Sequence, residues 1–386
     1  MFLFSGYVTS LVKEDVKTLE ILQPDFAIRL NGNITYYKNY LDKININNID
    51  EEVLLDTLRQ NHRLLKFQII FALINHEINI ERASQEFSLL AQATFDTSLK
   101  IAESRIIKKY KIDNLSYSIV AYGRFATLSM TANSDLDLVF IYDGKNSKNN
   151  STQKVYIELF RQLIRTLSSK TTEGLMYEVD TKLRPSGKEG PVVCTYDNFK
   201  KYHQENSFCW EKLALKKTRI INENNFNAKT SKLLEKLKKI NISDKEITHE
   251  ILMMRTNVNQ TDGNVVKKRS FKWFETKYVG GGQRDIEFLN FFYEDKSDLI
   301  EEFEVSKKII LFRKIESLYF KIDQVVNICF LDNKQDNLPS QAVNLLIKET
   351  VTRDLGSLKA YVNQSKVEIF KILNYVIDSN KKTSIN

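Results

Sequence analysis

The chain has 386 residues, with 57 Lys+Arg against 49 Asp+Glu and a formal charge of +8. At 42% hydrophobic and 27% charged it is too apolar for wholesale disorder, and long enough to bury a core shared by two or three structural units. Twelve glycines and four prolines exclude collagen-like and Pro-rich chains and favour helix.

Residues 8–110 read as helices. Leu54, Leu55, Leu58, Leu64, Leu65, Ile69 and Ile70 fall at helical spacing, and a long amphipathic stretch runs from Ala83 to Tyr110 after a helix start at Asn79-Ile80-Glu81-Arg82. The period changes near residue 116. Tyr117 to Tyr122 is β-branched and aromatic and reads as a strand. A loop follows, then a second strand over Leu136 to Tyr142. An Asn/Ser/Lys-rich turn to Thr152 precedes a helix over Val155–Ser168. A third strand is expected over Met176–Leu183, ended by Arg184-Pro185-Ser186-Gly187, and a fourth over 192–195. Beyond Tyr196 the pattern is helical again, broken at Gly280-Gly281-Gly282 and at Leu338-Pro339. The expected fold class is α+β and predominantly helical: a helical region over 1–110, a small catalytic sheet over 111–225, and a helical bundle over 226–386.

The positive surplus is modest and spread. Runs such as Lys236-Leu237-Lys238-Lys239 read as a solvated helix face, so no nucleic-acid partner is expected. Cys194, Cys209 and Cys329 have neither zinc nor redox spacing, which fits a reducing compartment. His62, His76, His203 and His249 lie far apart and read as surface or helix-cap residues. No apolar run approaches the ~20 residues that span a bilayer. The opening Met1-Phe2-Leu3-Phe4-Ser5 has no basic signal-peptide start. A cytoplasmic protein without membrane association is expected.

Ser134-Asp135-Leu136-Asp137-Leu138-Val139-Phe140 is the most informative segment. A strand alternates faces, so Asp135 and Asp137 point one way while Leu136, Leu138 and Phe140 face a core. Adjacent carboxylates repel, and a fold tolerates them most easily where a cation neutralises them. A bare D-x-D at a strand start is more often an exposed acidic pair. Here Asp180, on the third strand, supplies another carboxylate. Three such groups suit two divalent ions about 3.5–4 Å apart that serve phosphoryl-type displacement. Lys182 and Arg184 follow at once and suit phosphate oxygens, Arg through its bidentate fork. Gly123 to Thr127, between the first two strands, reads as a small-residue loop able to bring backbone N–H groups to phosphates.

These residues resemble the DNA polymerase β-type nucleotidyltransferases, and more closely the glutamine synthetase adenylyltransferases. The family's Gly-x-Gly-Lys-Leu-Gly-Gly aligns with Ala121 to Thr127, and its Ser-Asp-x-Asp-Leu-Ile-Phe with Ser134 to Phe140. Its Tyr-Glu-Val-Asp and Arg-Pro-Ser-Gly elements stand at Tyr177 to Gly187, with Gly190-Pro191 in place. Its Trp-Glu-x-x-Ala-Leu aligns with Trp210 to Leu215, with Arg219 following. Its Lys and Gly-Gly-x-x-Asp-Ile-Glu-Phe align with Lys277 and with Gly281 to Phe288, and Ser5-Gly6-Tyr7-Val8 and Leu58-Arg59 resemble the lead-in.

The resemblance implies a single nucleotidyltransferase unit that moves AMP from ATP to a tyrosine of glutamine synthetase, regulating nitrogen assimilation. It implies Mg²⁺ held by Asp135, Asp137 and Asp180, with Asp180 helping to deprotonate the tyrosine. Gly123, Thr127 and Ser134 would line the phosphate loop, and Lys182 and Arg184 would be supporting cations. Asp285 and Glu287 match a family element, or equally fix a helix start after a glycine loop. Glutamine synthetase is the implied partner, and a nitrogen-signalling regulatory protein a further one. Relatives carry two such units, and the wording here is closer to the adenylylating one. The alternatives are phosphorolytic removal of AMP, and an inactive regulator that only binds glutamine synthetase. The family's Gly-Gly is Ala126-Thr127 here, and two added Cβ atoms are expected to restrict the loop and hold the triphosphate off.

Overall fold

The computed structural model describes residues 30, 32–42, 50–112, 114–144, 150–171, 173–240, 242–243, 246, 249, 272–277, 279–294, 302–329 and 337–382. The Ser5-Gly6-Tyr7-Val8 element and the expected helical stretch up to residue 29 lie outside them. The chain forms two compact units that divide between residues 240 and 241.

Among the described residues the first unit opens with three helices, each entered through a side-chain cap. They are α1 (Ile34–Leu41, capped by Asn33), α2 (Glu51–Ile74, capped by Asp50) and α3 (Ile80–Tyr110, capped by Asn79). The cap oxygens satisfy N–H groups that the first turn leaves without partners. α1 and α2 pack on α3. The fully buried Glu86 of α3 ties α1 down: it accepts from the Tyr37 hydroxyl at 2.7 Å and the Gly32 N–H at 2.9 Å, and pairs with Arg82 at 2.7 Å. Burial, followed by this carboxylate, holds the Tyr37 phenol well above its ordinary pKa.

The sheet has five strands: β1 (Tyr117–Ala121), β2 (Leu136–Tyr142), β3 (Val179–Asp180), β4 (Val193–Thr195) and β5 (Arg219–Ile220). The order is β3-β2-β1-β5, and β4 also pairs with β2. β1 runs antiparallel to β2 and β5. β3 and β4 run parallel to β2 on its other edge, β3 at its start and β4 at its end. β2 is the central strand, and Leu138 and Phe140 on one face and Val139 and Ile141 on the other are all buried. Phe140 packs against Tyr117 and against Phe160 of α5 (Asn150–Ser168). On the opposite face Val139 and Ile141 join Phe199 of α6 (Tyr196–Glu205), Leu215 of α7 (Cys209–Lys216), and Leu233, Leu234 and Leu237 of α8 (Asn227–Lys238). The sheet is therefore covered by helices on both faces, which is why β2 reads as a nearly continuous apolar run after Asp137.

Two expectations change here. The third strand is only two residues long. Met176 and Tyr177 donate their N–H groups to the Leu167 carbonyl at the end of α5, and a turn begins where Arg184 N–H bonds Thr181. α8, read from the sequence as the start of the C-terminal bundle, packs into the core of the sheet-bearing unit, because its Leu233, Leu234 and Leu237 cover Val139 and Ile141.

The second unit is helical among its described residues: α9 (Gln283–Glu294), α10 (Glu302–Cys329), α11 (Ser340–Thr350) and α12 (Leu355–Lys382). Leu289, Phe312, Ile322, Leu346, Val362 and Ile369 are among its buried side chains. Gly281 sits at φ +74°, where a Cβ would fall 1.9 Å from the Lys366 carbonyl oxygen. Its N–H donates to Asp285 at 2.7 Å, and its carbonyl accepts from the Tyr319 hydroxyl at 2.9 Å. Asp285 thus fixes the start of α9 after the glycine break, and Glu287 is exposed. No described helix is long and apolar enough to cross a membrane.

Candidate active site

Asp135, Asp137 and Asp180 converge. Parallel pairing sets Leu136 opposite Val179 and Asp137 opposite Asp180. The Leu136 N–H donates to the Glu178 carbonyl at 2.9 Å, which pins this register. Each carboxylate contributes an oxygen to a cluster whose atoms all lie within 4.8 Å of one another. Asp135 is exposed, while Asp137 and Asp180 are half-buried. Glu178 is exposed as well.

Gly123 borders this cluster, and its part differs from the expected one. Residues 123–127 are not a loop but a short helix, α4, with Leu128 left-handed at its end. Gly123 itself has φ +55°, and a Cβ there would stand 2.5 Å from Asp137 Oδ2. The residue must lack a side chain so that the Asp137 carboxylate can occupy that volume. Ala126 and Thr127 lie within the helix, and neither has a positive φ. A Cβ is therefore conformationally acceptable at both, which removes the backbone restriction expected from the lost Gly-Gly. The Thr127 hydroxyl bonds within the segment, to the Gly123 carbonyl at 3.1 Å and to Ser129 Oγ at 2.7 Å. Ser134 Oγ accepts from the Thr131 N–H at 2.9 Å and shares a hydrogen bond with the Thr131 hydroxyl, closing the turn before the Asp pair.

The two cations after β3 are placed differently. The Lys182 N–H donates to Asp180 Oδ1 at 2.8 Å and its ammonium to Asp180 Oδ2 at 2.5 Å. Asp180 foremost, and then Asp135 and Asp137, raise the Lys182 pKa. The carboxylate cluster thus already holds a cation. Arg184 instead turns into its own loop. Its Nε reaches the Gly190 and Pro191 carbonyls, Nη1 the carbonyl and hydroxyl of Thr181, and Nη2 the carbonyls of Lys188 and Gly190. It organises the turn that follows Asp180.

Arg219 was legible only as a motif member. It donates to the Phe125 carbonyl at 3.0 Å, the Ala126 carbonyl at 3.4 Å and Gln92 at 3.0 Å, with its guanidinium over the Phe125 ring. A cation at a helix C-terminus satisfies the carbonyls left without partners there, so Arg219 steadies α4 from β5. Glu211 of the Trp-Glu motif is buried, takes the Phe208 N–H at 2.9 Å, and accepts from the Tyr202 hydroxyl. It starts α7.

The histidines divide. His76 is exposed, but His62 and His203 are buried, edge-on to Tyr177 and Phe199. Burial pushes His203 down to about 4 and His62 well below its ordinary value. The expected surface or capping role does not hold for these two, because each lies against an aromatic ring inside the first unit. The three cysteines are free and buried.

Three oxygen donors in one small cluster suit a hard divalent ion that keeps part of its coordination for substrate oxygens. The ammonium already at Asp180 and the space kept clear by Gly123 agree with a cation site.

The glutamate-ammonia ligase adenylyltransferase family model matches residues 1–233. The bifunctional glutamine synthetase adenylyltransferase/adenylyl-removing enzyme of Rhodopseudomonas palustris (strain HaA2) is 25% identical over 357 residues, covering 85% of this chain and 35% of that protein. The proteins of the same name from Brucella melitensis biotype 1 and Mannheimia haemolytica are 32% and 28% identical over 258 residues, covering 62% of this chain in each case and 25% and 26% of those proteins. The chain thus spans about a third or less of the length of these curated relatives.

Proposed function

The chain belongs to the glutamate-ammonia ligase adenylyltransferase family, and on that premise we propose that it transfers AMP from ATP to a tyrosine of glutamine synthetase. The observation that carries this reading is the convergence of Asp135, Asp137 and Asp180 across paired strands β2 and β3. The three would hold Mg²⁺, which when bound supplies positive charge against the phosphate oxygens. The tyrosine oxygen bonds to the α-phosphorus of ATP, the bond to pyrophosphate breaks, and the phenolic proton leaves. Asp180, half-buried at the end of β3, would receive that proton, directly or through water. A free tyrosine has a pKa of about 10, so removing its proton at neutral pH needs such an acceptor.

The remaining residues act by holding positions, as positioning and charge supply most of the rate in such transfers. Gly123 leaves Asp137 its space. Ser134 and Thr131 close the turn that sets Asp135. Arg184 shapes the loop after Asp180, and Arg219 fixes α4. Lys182 is the cation free enough of its loop to meet phosphate oxygens. Glutamine synthetase is the proposed partner, a nitrogen-signalling protein a proposed effector, and the cytoplasm the proposed site of action.

A second reading has a specific support: the relatives are named for both adenylylation and AMP removal. The same carboxylates would serve attack of phosphate on AMP-tyrosine, giving ADP. The test is incubation of the full chain with Mg²⁺, α-³²P-ATP and unmodified glutamine synthetase, beside a parallel reaction of adenylylated glutamine synthetase with phosphate. Label on glutamine synthetase supports the forward transfer, and ADP release supports the reverse. Glutamine synthetase binding with neither product would identify a non-catalytic regulator.

A further inference from the structure

We propose that Lys182 is an exchangeable internal counter-ion, which holds Asp180 while the carboxylate cluster is metal-free and gives way when a divalent ion arrives with the nucleotide. The consequence is that metal loading depends on nucleotide. This rests on the reading of Asp135, Asp137 and Asp180 as a divalent-cation site.

One residue occupies both oxygens of Asp180. The Lys182 N–H takes Oδ1 at 2.8 Å, and its ammonium takes Oδ2 at 2.5 Å. The backbone contact belongs to the turn after β3 and survives any movement of the side chain. The ammonium contact is different in kind. The Lys182 side chain is 59% exposed, against 21% for Asp180. An exposed ion pair of this sort is weak, and the four-carbon stem carries the head into water with little penalty. Arg184, two residues on, shows the contrast: its guanidinium is bonded throughout to its own loop and has no comparable freedom. The two cations after β3 therefore divide the work, one fixed and one mobile.

A divalent ion using Asp180 Oδ2 meets the ammonium at the same oxygen, and two like charges there repel. Metal alone must displace Lys182 into water with nothing gained by the lysine. A metal–triphosphate complex brings anionic oxygens to the same place, and the displaced ammonium acquires a new partner. Nucleotide thus raises metal affinity, and by linkage metal raises nucleotide affinity by the same factor.

The test is Mn²⁺ binding to the full chain by calorimetry, with and without the α,β-methylene analogue of ATP, which cannot transfer AMP. Parent, Lys182→Met and Lys182→Arg are compared. Lys182→Met is expected to bind Mn²⁺ alone about threefold or more tightly than the parent, the scale of losing an exposed ion pair. It is also expected to lose most of the gain in Mn²⁺ affinity that the analogue gives the parent. Lys182→Arg, which keeps the charge, should stay near the parent. Unchanged or weaker Mn²⁺ binding by Lys182→Met, where Asp135→Asn abolishes binding, would overturn the exchange and leave the metal site standing. No Mn²⁺ binding by the parent, with or without the analogue, would remove the site and this inference together.

Discussion

Gly123→Ala separates a backbone effect from an active-site effect. Gly123 stands at φ +55°, and an added Cβ would approach Asp137 Oδ2 to 2.5 Å. The left-handed conformation costs an L-residue about 1–2 kcal/mol. An ordinary carbon–oxygen contact is about 3.3 Å, so the carboxylate must retreat by about 0.8 Å or α4 must shift. Displacement on that scale in a catalytic constellation lowers turnover by about 100-fold. Gly174 provides the control: its φ is +84°, and a Cβ there has no neighbour within 4 Å. Gly174→Ala therefore carries the backbone penalty alone. Both variants should melt several degrees lower, at about 2–4 °C per kcal/mol for a unit of this size. Only Gly123→Ala should also lose AMP transfer and Mn²⁺ affinity, measured by α-³²P-ATP labelling and calorimetry. Equal activity in the two variants would refute the argument that Gly123 is there to make room for Asp137.

Asp137→Asn should lower activity by about 100-fold or more while changing stability by about 0.5 kcal/mol or less, since it relieves a repelling pair and removes no packing; a matching loss in thermal unfolding would assign Asp137 to the fold instead. Ala126→Gly combined with Thr127→Gly should cost about 1 kcal/mol of stability and weaken Mg²⁺–ATP binding in calorimetry, because both positions are helical; tighter binding would show that the side chains obstruct the triphosphate. His203 gives a pH signature. Its folded pKa is pushed down to about 4 from 6.5, so the unfolded chain takes up the proton first as pH falls. Stability is unaffected by this group above pH 6.5 and declines from there to about pH 4, by about 3 kcal/mol at most. His203→Leu should flatten that part of the stability–pH curve in chemical denaturation, and an unchanged slope would exclude His203 as its source.

Much of this was legible in local pattern. The alternation of Asp135-Leu136-Asp137-Leu138 specified a strand with one acidic face, because neighbouring side chains on a strand must point oppositely. The helical spacing from Leu54 to Ile70 and the Asn79 cap marked α2 and α3. Asp180 could be named as the third carboxylate from its motif, although its strand is two residues long, not eight. What the sequence could not carry was which groups meet across long separations. Asp137 and Asp180 lie 43 positions apart, and parallel pairing, which has no short-range signature, brings them together. The Phe125 and Ala126 carbonyls of the Gly123–Thr127 helix are taken by Arg219, more than 90 residues away. The same holds for α8, whose leucines are indistinguishable from those of a bundle helix until they are seen to cover Val139 and Ile141 of β2. Lys182 and Arg184 are alike in charge and two residues apart, yet one ends on a carboxylate and the other on its own loop. Carbonyls brought together by the turn from Thr181 to Pro191 decide that, and only the folded backbone brings them together.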